Sequence, residues 1–323
     1  MAGLRGNEAW LMFAKQSAKG TPATVAAATT FKVPFAGGNL APARETDNLS
    51  ETDSSRDQGV PYVTTTGVEG SPEVYVRDPS IGALLLGVLG ADAVTGTTNY
   101  VHTLTPSNTL PYFTFWKMLS STLWERYSDC NVGSLTIAAE AGAPLTATAG
   151  VQGLVPTRLT ADPDAGGLAP LASQAVYNFN EATVTLGGSA TSFIRSFELS
   201  IENNVSRQQT DDVTPFDVTP GIREVSLSFD MIFANLTEYN NFVYGSAAGT
   251  TVSNTVYQTS AVFDFSKGVN NGVTFSLPNI AYTELSPEPD AGGDPIVVSV
   301  AAVGVRSGTP IVTATVKNQV AAY

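Results

Sequence analysis

The sequence predicts a mainly β protein that follows one strand–helix–strand plan twice. Three observations carry this expectation. Phe197, Leu199 and Ile201 alternate with Glu198, Ser200 and Glu202, and Val225, Leu227, Phe229 and Met231 alternate with polar neighbours. That is the period-2 pattern of half-buried strands. Thr, Ser, Ala, Val and Gly are abundant, as suits strands joined by tight turns. The order strand, polar loop, strand, short helix, hairpin occurs twice along the chain.

In chain order, residues 1–30 read as an arm with one apolar patch, Trp10 to Phe13, and a small-residue tail after Gly20. A strand follows at Phe31–Phe35. Residues 37–59 read as a long exposed loop carrying Arg44, Glu45, Asp47, Glu51, Asp53, Arg56 and Asp57; loops of that length are usually functional or disordered. Val60–Val68 and Glu73–Arg77 are strand-like. Asp78-Pro79-Ser80 starts a short apolar helix over Ile81–Leu89, and Gly90 stops it. Residues 100–118 suggest a hairpin around Pro106-Ser107-Asn108. Ser134–Glu140 and Leu145–Val151, split by Ala141-Gly142-Ala143-Pro144, form a strand–turn–strand signal. The aperiodic stretch from Pro156 to Ala172 reads as a linker. Beyond it, strands are expected at Ala182–Leu186, Phe193–Glu202 and Arg223–Phe233. Asn235 would cap a short helix ended by Gly245. Val262–Phe265, Gly272–Leu277, Pro295–Val303 and Ile311–Val316 complete the strands.

The repeat sets Val74-Tyr75-Val76, the helix to Gly90, and the strands from Ser134 and Pro144 against Met231-Ile232-Phe233, the helix to Gly245, and the strands from Gly272 and Pro295. It divides the chain into an arm (1–30), a first module (31–160), a linker (161–175) and a second module (176–323). A single elaborated module is the alternative, since all-β chains of this size show some strand–helix–strand coincidences.

Composition limits the function. The chain has 323 residues, 43% of them apolar and 14% charged. That suffices for a core, and so few charges suggest surface buried against other subunits. The net charge of −13 opposes direct DNA binding, because such a surface repels phosphate. Cys130 is the only cysteine, which fits assembly in a reducing cytoplasm. The apolar run at Trp10–Phe13 is too short for a secretory core, and Ile81–Leu89 cannot span a bilayer.

No catalytic, metal or cofactor constellation is expected. His102 is the only histidine and has no G-x-S-x-G elbow beside it; a structural histidine in a Thr-rich strand is the better reading. One Cys and one His are too few for zinc. Asp162/Asp164 and Asp290/Asp294 sit in Gly-rich turns that do not match an EF-hand, and turn chemistry explains them. The sequons at Asn48, Asn204 and Asn235 read as loop and cap residues. Trp10, Trp116 and Trp124 are core or interface anchors.

Several strings resemble the tail tube (major tail) proteins of long-tailed, siphovirus-like phages. They are Phe13-Ala14-Lys15-Gln16-Ser17-Ala18-Lys19-Gly20-Thr21, the helix Asp78–Gly90, Tyr100-Val101-His102-Thr103-Leu104-Thr105-Pro106, and Ser196-Phe197-Glu198-Leu199-Ser200-Ile201-Glu202-Asn203-Asn204. The likeness runs discontinuously over most of the chain, and the order of the strings carries it more than any one of them. It implies β-sandwich or barrel modules, each with a flanking helix and a long loop, that form six-fold rings stacked into a tube for double-stranded DNA. Two modules per chain would give three-chain, pseudo-six-fold rings; one would give six. Self, a terminator, a tape measure and a baseplate are the implied partners. DNA would pass without specific binding, and the protein would reside in the virion tail.

Glu198, Glu202, Glu224 and Asp230 are candidates for an acidic lumen wall, the alternative being an ordinary solvated face. The charged loop from Arg44 to Asp57 is the candidate inter-ring contact. The other readings are a tail terminator, baseplate hub or injection-system tube protein, and a capsid-decorating or host-adhesive β protein.

Overall fold

The computed structural model describes all residues except 1–5, 52–56, 172–173, 235, 289–291 and 294, and the side chains of Asn7 and Glu288. The first half contains β1 (Trp10–Lys15), β2 (Phe31–Pro34), β3 (Leu40–Asn48), β4 (Pro61–Gly70), β5 (Glu73–Tyr75), α1 (Asp78–Leu89), β6 (Gly90–Thr95), β7 (Tyr100–Pro106), β8 (Phe113–Ser120), β9 (Leu123–Glu140), β10 (Thr146–Gly153) and β11 (Val155–Leu159). The second contains β12 (Thr183–Leu186), β13 (Ser189–Thr191), β14 (Ile194–Glu202), β15 (Ser206–Gln208), β16 (Asp217–Thr219), β17 (Glu224–Ile232), α2 (Thr237–Tyr244), β18 (Gln258–Ser266), β19 (Gly272–Glu288), β20 (Val297–Gly304) and β21 (Thr313–Asn318). The fold is mainly β.

One antiparallel sheet runs through both halves in the order β3–β4–β10–β9–β14–β17–β20–β19, with β5 continuing the line of β4 along β10. The long strands β9 and β19 leave this sheet at their N-terminal ends and enter second layers. There β9 lies between β8 and β11, with β1 and β2 beyond β8. Likewise β19 lies between β18 and β21, with β12 and β13 beyond β18. Buried side chains from Leu11 to Tyr323 form the main core.

The two halves share their pairing scheme and two of its irregularities. An extra residue interrupts β9 against β10 at Gly133, and β19 against β20 at Thr283. A second shift falls between Phe113 and Phe115 on β8, and between Thr259 and Ala261 on β18. Bulges re-aim strands, so matching bulges bend β9 and β19 at equivalent points.

Several expected elements differ. Trp10–Lys15 is not part of a free arm; it is a strand with four consecutive buried residues, paired to both β2 and β8. Of the loop expected over 37–59, residues 40–48 are instead a strand, because Leu40–Asn48 pairs along Pro61–Gly70 as a hairpin arm. The expected hairpin over 100–118 does not form: β7 pairs with β6 and β21, and β8 with β1 and β9. Val155–Leu159, expected in the linker, adds to β9.

The helix α1 is as expected. Pro79 occupies its first turn, and Gly90 closes it in the left-handed region at φ 98°, its N–H on the Leu86 carbonyl. The Asp78 side chain accepts from Asn271, and the Asp78 carbonyl from Asn318 Nδ2 at 2.8 Å. The expected cap of α2, Asn235, lies outside the described residues; Gly245 ends that helix at φ 75°.

Candidate assembly surfaces

Period-2 alternation sorts the long sheet into two faces. On β14 and β17 the residues Phe197, Leu199, Ile201, Val225, Leu227, Phe229 and Met231 are buried. Their neighbours in sequence must then point the other way. All four expected acids, Glu198, Glu202, Glu224 and Asp230, therefore share one polar face. Glu202 and Glu224 are direct cross-strand partners. Asp230 accepts from Ser196 Oγ at 2.7 Å and Ser299 Oγ at 2.6 Å, and Thr136 Oγ1 meets Ser200 Oγ at 3.2 Å.

The same alternation adds acids that the sequence reading missed. Glu140 on β9, Glu284 on β19, Glu69 on β4 and Glu73 on β5 lie on the face opposite their buried neighbours Ala139, Leu285, Val68 and Val74. Their signal was present as alternation, but the strand order that joins them was not. Small hydroxyl and alanine side chains fill the rest of this face, leaving a shallow groove over Ala138, Thr146, Glu198, Ser228 and Asp230.

The charged segment expected at 44–57 is split. Arg44, Glu45 and Asp47 lie on β3 and are exposed; Glu51 and Asp57 lie at the hairpin tip; Asp53 and Arg56 lie outside the described residues. The loop between β14 and β17 grips the base of this arm. Arg207 donates to the Val68 carbonyl at 2.7 Å and reaches Glu69 at 3.4 Å and Glu45 at 3.8 Å. The Thr66 N–H donates to Val213 O at 2.8 Å, and Thr65 Oγ1 to Gln209 Oε1 at 2.9 Å.

His102 is fully buried and bridges three segments: Nδ1 meets Asp92 Oδ2 and Nε2 meets Val320 O, each at 2.8 Å, with the Tyr323 ring 4.3 Å away. Burial disfavours the imidazolium, but the bonds to Asp92 and Val320 and the Asp92 charge outweigh it and raise the pKa. These contacts are structural. Cys130 is buried, and desolvation together with the Asp129 charge pushes its thiol pKa up, which makes it inert. Asp164 pairs with Lys32 at 2.6 Å and receives the Leu168 N–H at 2.7 Å, so it organises its turn. Trp116 is buried with Met12 and Ala14. Among the described residues no helix is long and apolar enough to cross a membrane.

A search of curated proteins finds no match. The phage tail tube protein family matches residues 6–307 of the chain, and the protein belongs to that family of structural tail components.

Proposed function

We propose that this tail tube subunit polymerises as stacked three-chain rings into a hollow conduit whose lumen is the acidic sheet face. The observation that carries the reading is the doubled pairing scheme with its two matched bulges. Two equivalent modules per chain make three chains a pseudo-six-fold ring, and residues 10–159 and 183–318 are the two modules. Glu198, Glu202, Glu224 and Asp230, joined by Glu140 and Glu284, face the passing duplex. Their charge keeps phosphate from adsorbing, so double-stranded DNA slides through without specific binding. The β3–β4 arm reaches the adjoining ring, and head-to-tail stacking leaves the polymer open until a terminator or baseplate caps it. The protein assembles in the host cytoplasm and ends in the virion tail.

Cryo-electron microscopy of the concentrated protein tests this. Tubes with three chains per ring are the expected result. Six chains per ring would overturn the two-module reading, and strictly monomeric protein, even with the other tail components, would overturn the tube reading itself.

A further inference from the structure

Asn203 and Asn204 follow β14 and make the two arms of the chain unequal. In the pairing scheme β14 and β17 stand where β3 and β4 do, and matching the bulges sets the pair Glu202–Glu224 against Ala43–Gly67. Past this level β3 and β4 stay paired as far as Asn48 and Pro61, whereas β14 and β17 part. The Asn203 side chain donates to the Val88 carbonyl at 2.9 Å and accepts from Arg223 Nε at 2.8 Å. Asn204 lies in the left-handed region at φ 47°, which asparagine enters more readily than most residues. Its Nδ2 donates to the Ile222 carbonyl at 2.9 Å. The chain thus turns out of the ladder, and β15 and β16 fold back as a two-stranded hairpin.

We propose that this second arm is a brace: it lies across the base of the first arm and holds it ready for the adjoining ring, so that each ring presents three reaching arms rather than six. This rests on the ring and arm reading above and specifies which arm reaches. Among the described residues, Pro61 to Gly67 of β4 have β3 on one side and no strand on the other, because β10 pairs only with Val68, Glu69 and Gly70. A two-stranded ribbon is marginally stable by itself. The hairpin supplies partners on that bare side. The Thr66 N–H donates to Val213 O at 2.8 Å, and Thr65 Oγ1 to Gln209 Oε1 at 2.9 Å.

Arg207 is the clamp. Its guanidinium crosses β4 at Gly67, where a Cβ would lie 3.2 Å from Nε and 3.3 Å from Cζ, so any side chain there would crowd it. Nη2 donates to the Val68 carbonyl at 2.7 Å, and the charge reaches Glu69 at 3.4 Å and Glu45 at 3.8 Å, one carboxylate on each strand of the arm. Hydrogen bonds from an ionised donor are the stronger kind, and the Arg207 side chain is largely buried, so salt screens it little. The far end of the hairpin is tied to the N-terminal segment. Asp217 pairs with Lys19 at 3.3 Å and accepts from Tyr112 Oη at 2.7 Å. Lys19 also donates to the Phe216 carbonyl and lies 4.1 Å from the centre of the Phe216 ring. Held at both ends, the hairpin would have to break all these contacts to reach another ring. The first arm instead carries Leu49, Val60 and Tyr62 exposed towards its tip, apolar area that an adjoining ring would cover.

Amide hydrogen exchange of the unassembled protein tests the brace. Arg207→Ala should make residues 44–49 and 60–66 exchange about tenfold faster, while the β9–β14 pairing keeps its wild-type protection and shows that the fold is intact. Asp217→Asn loosens the far end without touching the arm. It should accelerate the same residues by a smaller factor, and it decides the matter if Arg207→Ala does not fold. Arg207→Lys keeps the charge but not the planar fork and should fall between the wild type and Arg207→Ala. Unchanged exchange of the arm in the folded variants would overturn the brace. In assembled wild-type tubes, three arms should cross each ring junction, with residues 206–219 packed on their own chain. Six crossing arms, or this hairpin carried to the next ring, would overturn the brace and leave the tube reading standing. Failure of the wild type to form rings would overturn the ring reading and with it the count of three arms, while the exchange result would still decide the brace.

Discussion

The two helices hold equivalent places after the inner strands of the two halves, yet they are buried very differently. In α1 every residue from Ser80 to Leu89 is buried; in α2 none is. The cause is what covers them. The first half inserts the β6–β7 hairpin, which pairs with β21 across the halves, and the chain end brings Tyr323 over the helix. Thus α1 is a middle layer and is apolar on every side, whereas α2 lies on its sheet with one face in water. One plan gives a sealed half and an open half.

The largest test of this contrast is a cavity. Leu85→Ala should cost about 2–5 kcal/mol, because rigid neighbours on all sides cannot collapse into the space. Val243→Ala, half-buried on α2, should cost under about 1 kcal/mol. Urea unfolding midpoints of the unassembled protein measure both, and similar values would mean that α2 is covered in solution.

Next in size is overpacking. A Cβ at Gly82 would lie 2.1 Å from the Tyr323 ring, which is held between His102 at 4.3 Å and Phe31 at 5.8 Å. Gly82→Ala should cost about 1–3 kcal/mol. Adding Tyr323→Ala should cost less than the separate effects combined, since it removes the clash. Full additivity would show that the chain end does not seal the helix.

Smaller still is the pH response of the same seal. The folded His102 pKa lies above its ordinary 6.5. The folded state therefore binds the proton more tightly than the unfolded chain does. Its contribution is complete below about 6.5 and is lost as pH rises through the higher folded value. The urea midpoint of the wild type should fall over that window, and His102→Gln should remove that part of the slope. A wild-type profile that rises there would contradict the Asp92–His102–Val320 strut.

What the sequence revealed follows the same division between covered and uncovered. Strands with one wet face, β14 and β17, were legible from alternation, and so were the four acids opposite their core positions. β1 has both faces covered, so Trp10–Lys15 shows no alternation and reads as a patch. β3 fails in the opposite way: exposed along Arg44–Asp47, with a proline and acids, it looks like loop. Such charges protect an edge strand from pairing wrongly. The 100–118 region misled because its local turn signal was sound but its two strands do not pair with each other; β7 turns back to β6 and finds β21 far along the chain, and β8 pairs with β1 and β9. The joining of Glu140 and Glu284 to the acidic face depends on this long-range order.

The smallest expected effect concerns the polar tie of the open half. Tyr282 Oη donates to Glu238 Oε2 at 2.9 Å, fastening α2 to β19. Deleting a hydroxyl costs most when it strands a buried partner, and about 0.5–1.5 kcal/mol for a typical bond. Glu238 is partly exposed, so water replaces the lost donor, and the Tyr282 ring still packs against Tyr257 at 5.6 Å. Tyr282→Phe should therefore fall at the lower end of that range. Asn318→Ala supplies the contrast on α1. It removes the Nδ2 donor of the Asp78 carbonyl at 2.8 Å from a site where Asn318 itself is buried, and should cost about 1–3 kcal/mol. If Tyr282→Phe proved as costly as Asn318→Ala, Glu238 would be shielded from water, and α2 would be covered in the unassembled protein as α1 is.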